Sequence, residues 1–224
     1  MKSIVSLLLC LCLGVSRPVY QNDRARRIYC SAPNPDKKIA LTFDDGPHPQ
    51  YTEEILDILK QYGIKATFFA IGENVTYYPE VFEKVVADGH EIGNHTFSHP
   101  HMQNESSASL MTQIKKTNAL LQKQGAANTH LFRPPAGVCS NAVCRAASEM
   151  GYDIILWTVD TCDWRHTDAE RIVESVKSTV KSGDIILFHD YITAPSPTPA
   201  ALRQLIPALL EKGYRFVTVS ELIA

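Results

Sequence analysis

Seven short runs rich in apolar and β-branched residues, at 38–43, 66–71, 91–93, 130–132, 153–159, 184–188 and 215–219, alternate with stretches of helical character. In those stretches apolar residues recur at helical spacing, as at Ile55, Leu56, Leu59 and Tyr62, or at Val81, Val85 and Val86. Gly63, Gly89, Gly151, Gly183 and Gly213 each fall just before the next run, where a helix terminus favours a residue tolerant of positive φ. Strand, helix, strand, repeated, predicts an α/β fold with parallel strands, because a parallel pair needs a crossover connection and the helix supplies it. Seven strands suggest a (β/α) barrel, with an open sheet as the alternative that periodicity alone does not exclude.

In both architectures the active site lies at the carboxyl ends of the strands. Asp44 and Asp45 end the first run, His95 follows the third, Arg133 the fourth, Asp160 and Asp163 the fifth, and His189 the sixth. Random placement would scatter such groups over helices and both rims, so their concentration at one end points to an enzyme.

The formal net charge of −2 argues against a protein that binds by neutralising phosphates, and no nucleic-acid partner is expected. The surface suits a neutral sugar polymer. The chain begins as a secretory signal does, with Lys2, an apolar run over 4–15 broken by Ser6 and Gly14, and small residues before Arg17. The run falls short of the roughly 20 apolar residues that span a bilayer. The expected layout is therefore a signal peptide at 1–16, an amino-terminal arm at 17–37 carrying Arg24, Arg26 and Arg27 as solvated charges, and one domain at 38–224, monomeric and secreted or wall-associated. Removal of the signal leaves Cys30, Cys139, Cys144 and Cys162, an even set that in an exported chain predicts at least one disulfide. Sequence leaves three connectivities open; a bridge from Cys162 to the Cys139–Cys144 region is the expected one.

Two segments carry candidate chemistry on their own. Thr-Phe-Asp-Asp-Gly-Pro at 42–47 places two carboxylates at a strand end before a turn; either they face the site or they cap the loop and the next helix. His95-Thr-Phe-Ser-His99 spaces two imidazoles four apart, which on a helical turn lets them share a metal ion. Two histidines and an aspartate form a three-ligand set that leaves positions open for water and substrate.

With Arg133-Pro-Pro-Ala-Gly137, Asp160-Thr-Cys-Asp-Trp164 and Leu187-Phe-His-Asp190 added, five motifs stand in an order that resembles the polysaccharide deacetylases of carbohydrate esterase family 4, the NodB homology domain, over about residues 38–220. The resemblance implies a distorted (β/α) barrel of about seven parallel strands and a hydrolase of non-peptide carbon–nitrogen bonds. It implies Asp44 as general base and His189 as general acid, with Asp45, His95 and His99 binding one divalent ion, zinc or alternatively cobalt. It also implies that Arg133 orients Asp44, that Asp163 supports His189, that the Ala136 N–H serves the oxyanion, and that Trp164 and Leu187 line the acetyl pocket. Position 136 is commonly aromatic in the family, so alanine there implies an open cleft.

The chemistry explains the residue types, since amide hydrolysis needs an activated water, a stabilised oxyanion and a protonated leaving nitrogen. The expected substrate is a polysaccharide containing N-acetylglucosamine, with peptidoglycan ahead of chitin or chitooligosaccharides. The alternatives are an acetyl-xylan esterase of the same fold and a catalytically silent sugar-binding module. The complete acid, base and metal set argues against the second.

Overall fold

The structure, a computed structural model, describes residues 27–33, 36–127, 129–193 and 195–224. The expected signal segment, 1–16, and residues 17–26 of the arm lie outside the described residues.

Among the described residues nine strands are formed: β1 (Ile28–Tyr29), β2 (Lys38–Asp44), β3 (Thr67–Ala70), β4 (Glu91–Asn94), β5 (Leu131–Phe132), β6 (Asp153–Ile155), β7 (Val159–Asp160), β8 (Ile185–His189) and β9 (Arg215–Phe216). They run in the order β1-β6-β5-β4-β3-β2-β8-β7, with β9 beside the start of β2, and every pairing between them is parallel. In the same described residues eight helices connect and cover them: α1 (Tyr51–Gln61), α2 (Gly72–Tyr77), α3 (Pro79–Ala87), α4 (Ser107–Lys123), α5 (Asn141–Glu149), α6 (Ala169–Thr179), α7 (Thr198–Glu211) and α8 (Val219–Ile223). Among the described residues no helix is long and apolar enough to cross a membrane.

The expected barrel of parallel strands is present, curled and distorted, and it differs from the sequence reading most at the run 153–159. The run 153–159 is not one strand. Its first part, β6, pairs with β5 and β1, whereas β7, three residues on, pairs with β8. One bent segment thus joins both ends of the sheet. At the bend the backbone changes partners: Leu156 N–H donates to Tyr29 C=O and Thr158 N–H to Ile185 C=O. The short β1, which the sequence reading placed in the arm, fills the gap that the bend leaves. Ser31 bridges Asp184, and Ala32 N–H donates to Gly183 C=O at 2.9 Å. The run 215–219 is likewise shorter than expected, since Val219 already opens α8 behind the Thr218 capping box.

Side-chain alternation along the strands sorts residues between two environments. Ile39, Leu41 and Phe43 of β2 face outward into the main core with Ile55 and Leu59 of α1 and Leu205 of α7. Ala40 faces inward, with Phe69, Leu131, Ile155 and Ile185, and Val219 and Leu222 of α8 join this inner cluster. Both faces are buried, which explains why the strands read as nearly continuous apolar runs. The inward column of β2 continues as Ala40, Thr42, Asp44, growing more polar toward its carboxyl end.

Candidate active site and metal centre

That polarity is organised by Arg133, fully buried just after β5. Its Nη1 donates to Asp44 Oδ1 at 2.7 Å and Thr42 Oγ1 at 2.8 Å. Nε and Nη2 donate to the carbonyls of Ile155 and Leu156, and the guanidinium lies 4.1 Å over the Phe69 ring. A buried charge needs such compensation. Burial works against the charge of Arg133 and Asp44 sustains it. Asp44 Oδ1 is taken by this pair, while Oδ2 lies 3.7 Å from His95 Nε2.

Asp45, the next residue, reaches the same space because the backbone leaves β2 with a φ of 78°, a left-handed conformation uncommon for a side-chain-bearing residue. Asn74 of α2 holds its carbonyl at 2.6 Å. Asp45 Oδ1 is 3.3 Å from His95 Nε2 and 3.6 Å from His99 Nε2, and the three side chains form a group able to hold one metal ion. His95 directs its Nδ1 at the Arg133 carbonyl at 2.7 Å, which requires a proton on Nδ1 and leaves the Nε2 lone pair of the neutral ring facing Asp45. Asp45 Oδ1 is buried without a hydrogen-bond partner among the described residues. Lone pairs converging on an orphaned carboxylate oxygen are what a cation satisfies. The electrostatics agree. Burial opposes a proton on His95, yet Asp44 and Asp45 raise its proton affinity above the ordinary value; against burial, the surrounding histidines hold Asp45 below the usual carboxylate range. The residues fit a divalent ion.

Beside β2, His189 ends β8 in register with Asp44. Its Nδ1 meets Asp163 Oδ1 at 2.8 Å, so Nε2 is the ring nitrogen left for chemistry. Asp163 is fully buried and also accepts from His189 N–H, Trp164 N–H and Thr198 Oγ1. Burial alone would depress the imidazolium, but the hydrogen bond and charge of Asp163, with Asp44 and Asp45 behind it, push His189 up to about 9.

The remaining expected residues lie on the same rim. Ala136 is exposed in the turn Pro135–Gly137 with φ 53°, and Leu187 is buried in β8 two residues before His189. Trp164 is 44% exposed, with the Arg165 guanidinium 4.4 Å over its ring. Asp45, Thr96, His99, Ala136 and Cys162 all adopt positive φ, and each follows a strand that feeds the site. Such conformations cost about 1–3 kcal/mol each and gather where function requires them.

Sequence reasoning missed several supports. Asp190 accepts from Gly46 N–H at 2.9 Å and Thr52 Oγ1 at 2.6 Å, gripping the turn after Asp45, and a Cβ on Gly46 would fall 2.0 Å from its carboxylate. Burial pushes Asp190 up to about 7. Its position next to His189 was the available signal. Trp157, on the bend between β6 and β7, packs under Gly137, where a Cβ would meet its ring at 2.8 Å.

The expected bridge from Cys162 is not formed, and no disulfide links the described cysteines. Cys144 is a residue of α5, buried in a core cluster with Val143 and Ala147, whereas the Cys162 thiol is engaged by Asp160.

The family model for polysaccharide deacetylases matches residues 31–155. A peptidoglycan-N-acetylglucosamine deacetylase of Bacillus cereus is 46% identical over 193 residues, covering 85% of this chain and 90% of that protein. A solved peptidoglycan N-acetylglucosamine deacetylase, in complex with 4-naphthalen-1-yl-N-oxidanyl-benzamide, superposes with a TM-score of 0.83 at 36% identity, covering 88% of this chain and 92% of the other. A family 4 acetyl xylan esterase from Clostridium thermocellum, in complex with a cobalt ion, gives 0.76 at 39% identity, with 83% and 90% covered.

Proposed function

The chain belongs to the polysaccharide deacetylase family, and from that premise we propose that it is an exported, monomeric hydrolase that releases acetate from the N-acetylglucosamine units of peptidoglycan. The observation that carries the reading is the orphaned, buried Asp45 Oδ1 facing two histidine nitrogens beside a buried Asp44 and a proton-holding His189.

In this reading Asp45, His95 and His99 hold one divalent ion, zinc or cobalt. When bound, that ion supplies a Lewis acid that acidifies water and polarises the acetyl carbonyl. Asp44 accepts the proton of the attacking water at Oδ2, because Oδ1 is occupied by Arg133. The Ala136 N–H donates to the oxyanion, a backbone role that survives the change from an aromatic residue to alanine. His189 delivers its Nε2 proton to the departing nitrogen as the carbon–nitrogen bond breaks, while Asp163 keeps Nδ1 protonated. Acetate and a glucosamine unit result. Leu187 and Trp164 bound the acetyl group.

The likeness to a peptidoglycan-N-acetylglucosamine deacetylase of Bacillus cereus supports peptidoglycan over chitin. The exposed Ala136, without a ring to narrow the cleft, is consistent with a decorated, cross-linked glycan. A wall polymer as substrate and the apolar segment at 4–15 together support export and a secreted or wall-associated location.

The test compares acetate release from peptidoglycan, chitin oligomers and acetyl-xylan by the wild type and by Ala136→Tyr. Peptidoglycan should be preferred, and Ala136→Tyr should lower activity on it more than on chitin oligomers at unchanged metal content. Preference for acetyl-xylan would favour the esterase reading, which the resemblance to the Clostridium thermocellum enzyme keeps in view. Equal losses on both glycans would remove Ala136 as the source of the choice.

A further inference from the structure

His95 is locked by burial and by the Arg133 carbonyl, but His99 is held differently. Its side chain is 41% exposed, and its backbone takes φ 50° at the end of a three-residue loop. The geometry of His99 therefore depends on that loop, whose backbone groups can be followed one by one. Thr96 N–H donates to Asn94 Oδ1 at 2.9 Å, and His99 N–H donates to Thr96 Oγ1 at 3.2 Å. The carbonyls of Thr96 and Phe97 accept from Gly72 and Glu73, at the start of α2. The two central amides, Phe97 and Ser98, both end on one atom, Gln113 Oε1, at 2.9 and 3.1 Å. Gln113 Nε2 then donates to Ser98 Oγ at 3.0 Å. Gln113 stands on α4, which is anchored in the core through Leu110, Ile114 and Leu121, and the Ile114 carbonyl accepts from Asn94 Nδ2. A cavity of about 410 Å³, lined by Gln113, Phe97, Ser98 and Lys116, opens beside this contact.

We infer that Gln113 is a positioning residue for the metal centre: by gathering both central loop amides on one oxygen, it holds His99 where its Nε2 meets Asp45 and His95. The inference rests on the proposed metal-binding reading. Without Gln113 the two amides turn to water in the adjoining cavity, so the chain folds while the loop loses its register. Such outer supports typically govern metal affinity.

The test uses metal-free full chain titrated with Zn²⁺ against a chromophoric chelator, with the visible spectrum of the Co²⁺ form reporting coordination. Gln113→Ala should weaken affinity about 10- to 100-fold and perturb the cobalt bands, with the melting temperature of the metal-free protein unchanged. Gln113→Glu, which keeps an acceptor for both amides, should stay within about threefold of wild type, well inside that loss. Wild-type affinity in Gln113→Ala, or equal weakness in both variants, overturns the inference. If Gln113→Ala fails to fold, Gln113→Met is measured instead, and failure of both to fold also overturns it, because the residue then serves the fold and not the site. His95→Ala separates the two levels. If wild type and His95→Ala bind the ion alike, the metal reading itself fails and this inference with it; if His95→Ala loses the ion and Gln113→Ala does not, only the role of Gln113 falls.

Discussion

At the scale of single residues, the site is governed by which atom of each side chain is already occupied. Arg133 claims one oxygen of Asp44, the Arg133 carbonyl claims one nitrogen of His95, and Asp163 claims one nitrogen of His189. The atoms left over face one another, which defines the chemistry more sharply than residue identity does. His189 offers a measurable consequence. Its pKa is raised to about 9, so the stabilisation from its proton is complete below the unfolded value of about 6.5 and is lost as pH rises through about 9. In the proposed mechanism the same proton serves catalysis, so activity should fall on the alkaline side near that value. Asp163→Asn removes the strongest force raising it and should bring His189 to about 6.5 or lower. The alkaline limb of kcat/KM would then move down by about two pH units or more, with a loss of roughly 30-fold at pH 8 from protonation alone. A pH profile of Asp163→Asn that keeps its limb near 9 would remove Asp163 from this role.

At the scale of elements, the join between β1 and the start of β8 is set by Gly183. Its φ is +88°, and a Cβ there would lie 1.6 Å from the Ala32 carbonyl oxygen. Gly183→Ala should therefore push the strand-β1 segment off the sheet and destabilise the protein by about 1–3 kcal/mol, readable in urea unfolding. Destabilisation below about 0.5 kcal/mol would mean that the contact is not closing the sheet. The elements were unequally legible in the sequence. β2 and β8, buried on both faces, could be read from their apolar runs, and so could Asp44, His95 and His189 at the strand ends. The break between β6 and β7 could not, because a change of hydrogen-bond partner leaves side-chain pattern intact. Gln113 and Asn74 were silent for a related reason: a polar residue on a half-exposed helix face looks the same whether it meets water or a neighbouring loop.

At the scale of the whole molecule, the proposed metal ion links one corner to global stability. An ion present at 100 times its Kd adds about 2.7 kcal/mol to a fold that binds it only when native. For a domain of this size that raises Tm by roughly 5–11 °C. Calorimetry with and without a chelator should show the shift in wild type and its loss in His99→Ala; identical melting with and without ion would count against a native-state site. The strand order carries a different consequence, one of timing. Asp44 and His189 sit side by side as paired residues of β2 and β8, yet most of the chain lies between them in sequence. Local pairs such as β3 with β4 can form early, but β2 meets β8 only after nearly the whole chain is available. Loops that long close late in folding. Asp44 and His189 are thus late neighbours, and a chain emerging unfinished carries a cleft that still lacks one side of its proposed chemistry.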